Sequence, residues 1–250
     1  MTRALLMSNS ANHDSGLFEH ARDAIAAFFD GTHEVLFAPW ALADHDGYTA
    51  RVAAAFSAFG LRVRGLHSVA DPAAAIRDAE ALYVGGGNTF RLVATLHRRA
   101  LLDPIRRAAA SGLRYSGASA GSLIASPTMR TTNDMPIVQP PSFETLGLLP
   151  FQLNCHYLDA DPTSTHAGET RELRLREFHE ENDVPVLGLR EGTWLELSET
   201  TGGTVAAVGG TAVSPYAPGP AILHRRGQDP VELAGDVSEL LDRAPHFDAR

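Results

Sequence analysis

The stretch YSGASAGSLIAS, residues 115–126, decides how this chain is read. Its centre, Gly117-Ala118-Ser119-Ala120-Gly121, fits the pattern G-x-S-x-G. That pattern places a serine on a sharp turn between a strand and a helix, where only small neighbours fit. Two readings compete: a nucleophile displayed at the edge of a sheet, or a small-residue turn between packed elements. The surroundings favour the first. Residues 113–116 read as a buried strand and residues from 120 onward as a helix, so the Ala120 N–H lies at a helix start, where an oxyanion can be held.

Working outward, strands and helices alternate. Residues 4–7, 35–37, 61–69 and 81–84 read as strands. Leu17, Ala21, Ala24, Ile25 and Phe28 share one helical face, and residues 48–59 form a second helix closed by Gly60. Asp71-Pro72 reads as an N-cap followed by proline in the first turn. Helices are also expected over 89–99 and 104–111. This alternation predicts βαβ units and a mostly parallel sheet covered on both faces. Later strands are expected at 151–155 and 184–189, separated by a helix over 169–181. After Glu191, short β-type runs between glycines and prolines read as antiparallel strands at the edge of the same sheet. The expectation is one α/β domain spanning residues 1–250.

Composition narrows the function. The 250 residues carry 21 Lys+Arg against 30 Asp+Glu, a formal net charge of -9, which argues against nucleic acid as a main partner. One cysteine, Cys155, excludes an internal disulfide and a cysteine-rich metal site. No HExxH run is present, so neither metal nor cofactor is expected. Residues 1–10 lack an apolar run behind a basic region, so no signal peptide is expected, and no stretch approaches the ~20 apolar residues of a membrane span. A soluble, cytoplasmic chain follows, with a homo-oligomer left open.

A serine nucleophile needs a base and the base an orienting acid. In an open parallel sheet the site lies beyond the carboxyl ends of the strands. His156 directly follows the strand at 151–155 and is the preferred base. His97 and His179 fall within helices, where solvated faces are expected, whereas His13 and His166 remain loop candidates. Glu191 follows the strand at 184–189, and Asp134 lies on the loop after the nucleophile helix; either carboxylate is a candidate acid. Gly85-Gly86-Gly87-Asn88 opens a helix at another strand end. It has no Lys-Ser/Thr and forms no G-x-G-x-x-G, so it fits an oxyanion-hole backbone better than a phosphate loop.

These residues resemble the peptidase E family, the α-aspartyl dipeptidases, in a serine peptidase group that also includes cyanophycinase. The resemblance runs through "LLMSNS", "VADPAAAIRDAEALYVGGGNTFRL", "GASAGSLIASPTMRTTNDMPIV", "FQLNCHY", "HAGETRELRLREF" and "VLGLREGTWLEL". It implies a three-layer α/β/α sandwich similar to class I glutamine amidotransferases. It implies Ser119 as nucleophile, His156 as base and Glu191 or Asp134 as acid, with the Gly87 and Ala120 N–H groups as oxyanion hole. It also implies a small peptide substrate with an N-terminal aspartate. Arg171 in "GETRE" is the candidate for the aspartate carboxylate, Arg130 is next in line, and Asn88 is a candidate substrate contact. If Asp134 is not the acid, it is the candidate for the substrate ammonium. The chain departs from the family pattern at Ala118, where an aromatic is frequent, and at Arg190, where proline is frequent. The loop from Tyr157 to His166 is also slightly longer. These departures touch the pocket more than the reaction. A cyanophycinase-like or broader aminopeptidase specificity, and a non-catalytic anion-binding module, are the alternative readings.

Overall fold

The computed structural model describes residues 2–248 apart from Pro162, Ser164, His166 and Ala167. The candidate base His166 therefore lies outside the described residues. The first half of the chain alternates as the apolar periodicity requires: β1 (Arg3–Met7), α1 (Arg22–Phe28), β2 (Glu34–Ala38), α2 (His45–Ser57), β3 (Arg62–Gly65), α3 (Pro72–Arg77), β4 (Ala81–Val84), α4 (Thr89–Arg98), α5 (Leu102–Ala110), β5 (Arg114–Ala118) and α6 (Ala120–Leu123). The second half adds β6 (Gln152–Tyr157), α7 (Arg171–Glu181), β7 (Val186–Arg190), β8 (Thr193–Thr200), β9 (Gly203–Gly210), β10 (Ala221–His224), β11 (Val231–Leu233) and β12 (Gly235–Asp236). Local signals set several boundaries. The Asp71 side chain accepts the Ala74 N–H with Pro72 in the first turn of α3, and Asn88 accepts the Arg91 N–H at the head of α4.

An eight-stranded sheet runs in the order β12-β9-β8-β1-β5-β4-β2-β3. The pairs from β1 to β3 are parallel, and β8, β9 and β12 extend the β1 edge antiparallel. Both faces are buried, which explains why the strands read as continuous apolar runs. In β1 the side chains divide by parity. Leu5 and Met7 join Phe18, Ile25 and Phe37 on one face, while Ala4 and Leu6 join Leu36, Val84 and Leu92 on the other.

One expectation is corrected here. The strands after Glu191 do not all join the edge of a single sheet. β10 and β11 pair with β7 and β6 in a separate four-stranded sheet of order β11-β10-β7-β6. Its apolar residues Leu153, Leu187 and Leu189 pack in the same cluster as Ala4 and Leu6. The physical reason is that a buried strand's apolar run records burial but not which sheet buries it. The chain crosses between the sheets at Glu191–Gly192. Gly192 has φ +88°, and a Cβ there would lie 2.3 Å from the Thr211 carbonyl oxygen, so no larger residue fits the crossing.

Buried Ser8, just past β1, fastens this seam. Its N–H donates to the Thr193 carbonyl (2.9 Å), its hydroxyl donates to the Leu189 carbonyl (2.9 Å), and its Oγ accepts the His156 N–H (2.9 Å). One small side chain thereby connects β1, β6 and β7, while its backbone connects β8.

Candidate active site

Ser119 stands between β5 and α6 with φ 53° and ψ -114°, a conformation that costs a non-glycine residue of order 1–3 kcal/mol. The surrounding glycines show why the strain persists. A Cβ on Gly121 would lie 2.0 Å from the Val84 carbonyl oxygen, and one on Gly117 would lie 2.4 Å from the Gly121 carbonyl carbon. No side chain fits at either position, so strand and helix close on each other and force the turn. Hydrogen bonds lock it. Ser119 N–H donates to the Met7 carbonyl (3.0 Å), the Ser122 hydroxyl to the same carbonyl (2.6 Å), and the Tyr115 hydroxyl to the Gly121 carbonyl (2.6 Å).

The Gly85–Gly87 loop comes against this turn. A Cβ on Gly86 would meet Ser119 Cβ at 3.1 Å, and Gly87 has φ +129°. Tyr48 supports the loop by donating its hydroxyl to the Gly86 carbonyl (3.2 Å), and burial pushes that phenol up to about 12. Among the described residues, no backbone acceptor meets the N–H of Gly87 or Ala120.

His156 Nε2 lies 2.9 Å from Ser119 Oγ, and its Nδ1 lies 2.8 Å from Glu191 Oε1. An ionised carboxylate only accepts, so this pairing makes Nδ1 the N–H donor and leaves Nε2 as acceptor for the serine hydroxyl. The His156 and Glu191 side chains are 41% and 49% exposed, so their ion-pair energy is screened and the contact acts chiefly through orientation. His156 does not simply follow its strand. It sits inside β6 with φ 53°, at a register irregularity between Asn154 and Tyr157. That bulge turns the imidazole towards Ser119.

Asp134 occupies a different place. Its Oδ2 accepts the Thr89 N–H (2.7 Å) at the head of α4 and lies 3.3 Å from Thr132 Oγ1, so the carboxylate sits at the positive end of a helix. Nothing joins it to the His156 ring, whose Nδ1 faces Glu191. Both polar ends of Asn88 are engaged within the fold, with Oδ1 on the Arg91 N–H (3.0 Å) and Nδ2 on the Met135 carbonyl (2.9 Å). Its side chain is a helix cap first, which the sequence reading of a substrate contact did not anticipate.

Arg171 opens α7 and donates through a terminal nitrogen to Asn133 Oδ1. Its Nε is buried without a partner, and burial, with a smaller contribution from Arg174, pushes the guanidinium below its ordinary range. Arg171 lines a cleft of about 890 Å³ together with His156 and Glu191. Arg130 is absent from that lining; it binds Asn182 Oδ1 (3.0 Å) and the Asp248 carboxylate (2.8 Å), which corrects its candidacy.

The other described candidate histidines, His13, His97 and His179, make their contacts outside this relay. His13 pairs with Asp14 on the surface, and His97 meets the Glu144 carbonyl at 3.0 Å. His179 corrects the expectation of a solvated helix face: it is buried, with Nε2 3.0 Å from the Val184 carbonyl. Burial pushes the Cys155 thiol up to about 12, with Asp134 adding to the shift, so this neighbour of His156 is an inert packing group. Among the described residues, no group of three or more His, Cys, Asp or Glu could hold a metal, and no helix is long and apolar enough to cross a membrane.

Two supporting residues escaped the sequence reading. Ser8 lay unrecognised in "LLMSNS". Asn133 lay in "TTNDMP", where its neighbour drew the attention. Its Nδ2 donates to the Cys155 carbonyl (2.8 Å), and its Oδ1 accepts from Asn154 (2.9 Å) and Arg171. It fastens the histidine strand to the arginine helix.

A strained serine in contact with an imidazole that in turn meets a carboxylate, on a parallel α/β sheet, has the geometry of a serine hydrolase, here in the chain order Ser119, His156, Glu191. The model of Peptidase family S51 matches residues 4–205. The chain is 55% identical over 246 residues to a protein named Peptidase E from Streptomyces coelicolor, covering 98% of this chain and 97% of that one. It is 50% identical over 192 residues to a "Probable alpha-aspartyl dipeptidase" from Drosophila melanogaster, covering 76% and 80%. A crystal structure of a peptidase from an acI-B1 Actinobacterium shares the fold, with a TM-score of 0.63 at 15% identity over 95% and 97% of the two chains. The chain belongs to peptidase family S51 and is a serine peptidase.

Proposed function

We propose that this peptidase removes N-terminal aspartate from Asp-X dipeptides through an acyl-enzyme on Ser119. The observation that carries the reading is the unbroken relay from Ser119 Oγ through His156 to Glu191, at 2.9 and 2.8 Å. His156 Nε2 takes the hydroxyl proton as Oγ attacks the aspartyl carbonyl, and Glu191 stabilises the imidazolium. The N–H groups of Gly87 and Ala120 receive the oxyanion. His156 then passes the proton to the leaving amine, and water attacks the ester by the same route in reverse.

Arg171 supports the aspartate specificity. An unpaired carboxylate on the acyl side would lose its hydration, and the Arg171 guanidinium, whose Nε is buried without a partner, is the cation that offsets this cost. Asp134 Oδ1, on the carboxylate anchored at the head of α4, is assigned to the substrate ammonium. The Drosophila melanogaster relative, named a probable alpha-aspartyl dipeptidase, points the same way.

The test is hydrolysis of Asp-Leu, Asn-Leu and β-Asp-Arg. Asp-Leu should be the preferred substrate. Arg171→Ala should lower kcat/KM on Asp-Leu by roughly 2–4 kcal/mol, the penalty of stranding a desolvated carboxylate, and lower any Asn-Leu activity far less. Preference for β-Asp-Arg would replace this reading with a cyanophycinase-like one. Equal loss on both α-linked substrates would make Arg171 structural.

A further inference from the structure

We propose that the cleft beyond His156 is the subsite of the leaving residue, taking an apolar side chain against Leu158, Val213 and Tyr216 and its free carboxylate on Arg174. This rests on the dipeptidase reading. The first argument is the path of the proton. The base that deprotonates the serine must also protonate the leaving nitrogen, so the leaving residue lies on the imidazole's side of the nucleophile. The cleft lies on that side: His156 and Glu191 line it, whereas Ser119, Gly87 and Ala120 do not.

The second argument is a charge count. Three arginines, Arg171, Arg174 and Arg190, line the cleft among the described residues. Arg190 is consumed. It is 1% exposed, and its five N–H groups go to both oxygens of Asp159 (2.7 and 2.6 Å), both of Glu232 (2.7 and 2.8 Å) and the Gly219 carbonyl (2.8 Å). Arg171 and Arg174 are left for the substrate, and an Asp-X dipeptide carries two carboxylates. The two arginines are three apart on α7, which places their Cβ atoms about 5–6 Å apart on one face. Adjacent residues of a peptide have Cα atoms about 3.8 Å apart, so carboxylates on both match that spacing. Arg171 is tied to Asn133, next to Asp134 and the Gly87 loop, and so serves the acyl side. Among the described residues Arg174 pairs with Glu169 alone, at 3.4 Å, with both side chains about half exposed. So exposed a pair is weak and yields readily to a bidentate carboxylate.

The third argument is the wall. Leu158, Val213 and Tyr216 are 64%, 48% and 44% exposed, and all three line this cleft. Large apolar groups gathered at a cleft mark a binding surface.

The experiment compares Asp-Leu, Asp-Leu amide and Asp-Gly. The wild type should favour Asp-Leu over both others by roughly tenfold or more. Arg174→Met should collapse the acid-to-amide ratio towards one through KM, leaving the Leu-to-Gly ratio in place. Leu158→Ser/Tyr216→Ser should collapse the Leu-to-Gly ratio and spare the acid-to-amide ratio. Cleavage of Asp-X without these preferences, or Arg174→Met lowering acid and amide alike, overturns the subsite while the dipeptidase reading stands. No Asp-X cleavage by enzyme that still labels at Ser119 overturns both.

Discussion

The two halves of the relay are built in different ways. Ser119 belongs to a local device: five consecutive residues, a strand before and a helix after, with glycines whose absent side chains leave no other path for the backbone. His156 and Glu191 belong to a tertiary device. They arrive on a second sheet that touches the first through packing and the bonds of Ser8. The difference teaches where each half is vulnerable. The Ser119 turn is held mainly by its own residues and their closest neighbours, whereas His156 and Glu191 lose their places when the seam between the sheets loosens.

Changes on the tertiary side should break this comparison most visibly. Glu191→Gln keeps the shape but removes the charge that fixes the imidazole tautomer. It should lower kcat roughly 10²–10⁴-fold with little change in KM. Asp134→Asn should act chiefly on KM. Steady-state kinetics on Asp-Leu separates the two, and the reverse pattern would move Asp134 into the relay and Glu191 out.

A smaller effect is expected at the seam. Ser8→Ala deletes a buried hydroxyl, taking away the acceptor of the His156 N–H and a donor to the Leu189 carbonyl, at a cost of roughly 1–3 kcal/mol of stability. Because one of those groups is the backbone of His156, the proposed base, kcat should fall more than a loss of folded protein explains. Thermal unfolding and kcat measured on the same preparation test this. A variant that loses stability yet keeps the kcat of its folded fraction would make Ser8 a packing residue only.

The same contrast accounts for what was legible in the sequence. The elbow, the alternating elements of the first half and the Asp71 cap are local, and short-range patterns report them. The division into two sheets is not local. Strands β6 and β7 carry the same buried apolar run whether they border β1 or lie apart from it. Position at a strand end still drew attention to His156 and Glu191, although the bulge that turns the imidazole has no sequence signature of its own. Arg190 shows the limit most clearly. Beside Glu191 it reads as an unexplained departure from a family pattern, and only the fold brings Asp159 and Glu232 to its five N–H groups.

The central claim is that Ser119 is an activated nucleophile and not a packing turn. The direct measurement is treatment with a serine-directed phosphonofluoridate, followed by mass determination of the labelled peptide. The account predicts one adduct, on Ser119, formed more slowly in Glu191→Gln and absent in a folded Ser119→Ala variant that hydrolyses no substrate. An unlabelled Ser119 in active enzyme, or Ser119→Ala retaining activity within about tenfold of the wild type, would contradict it.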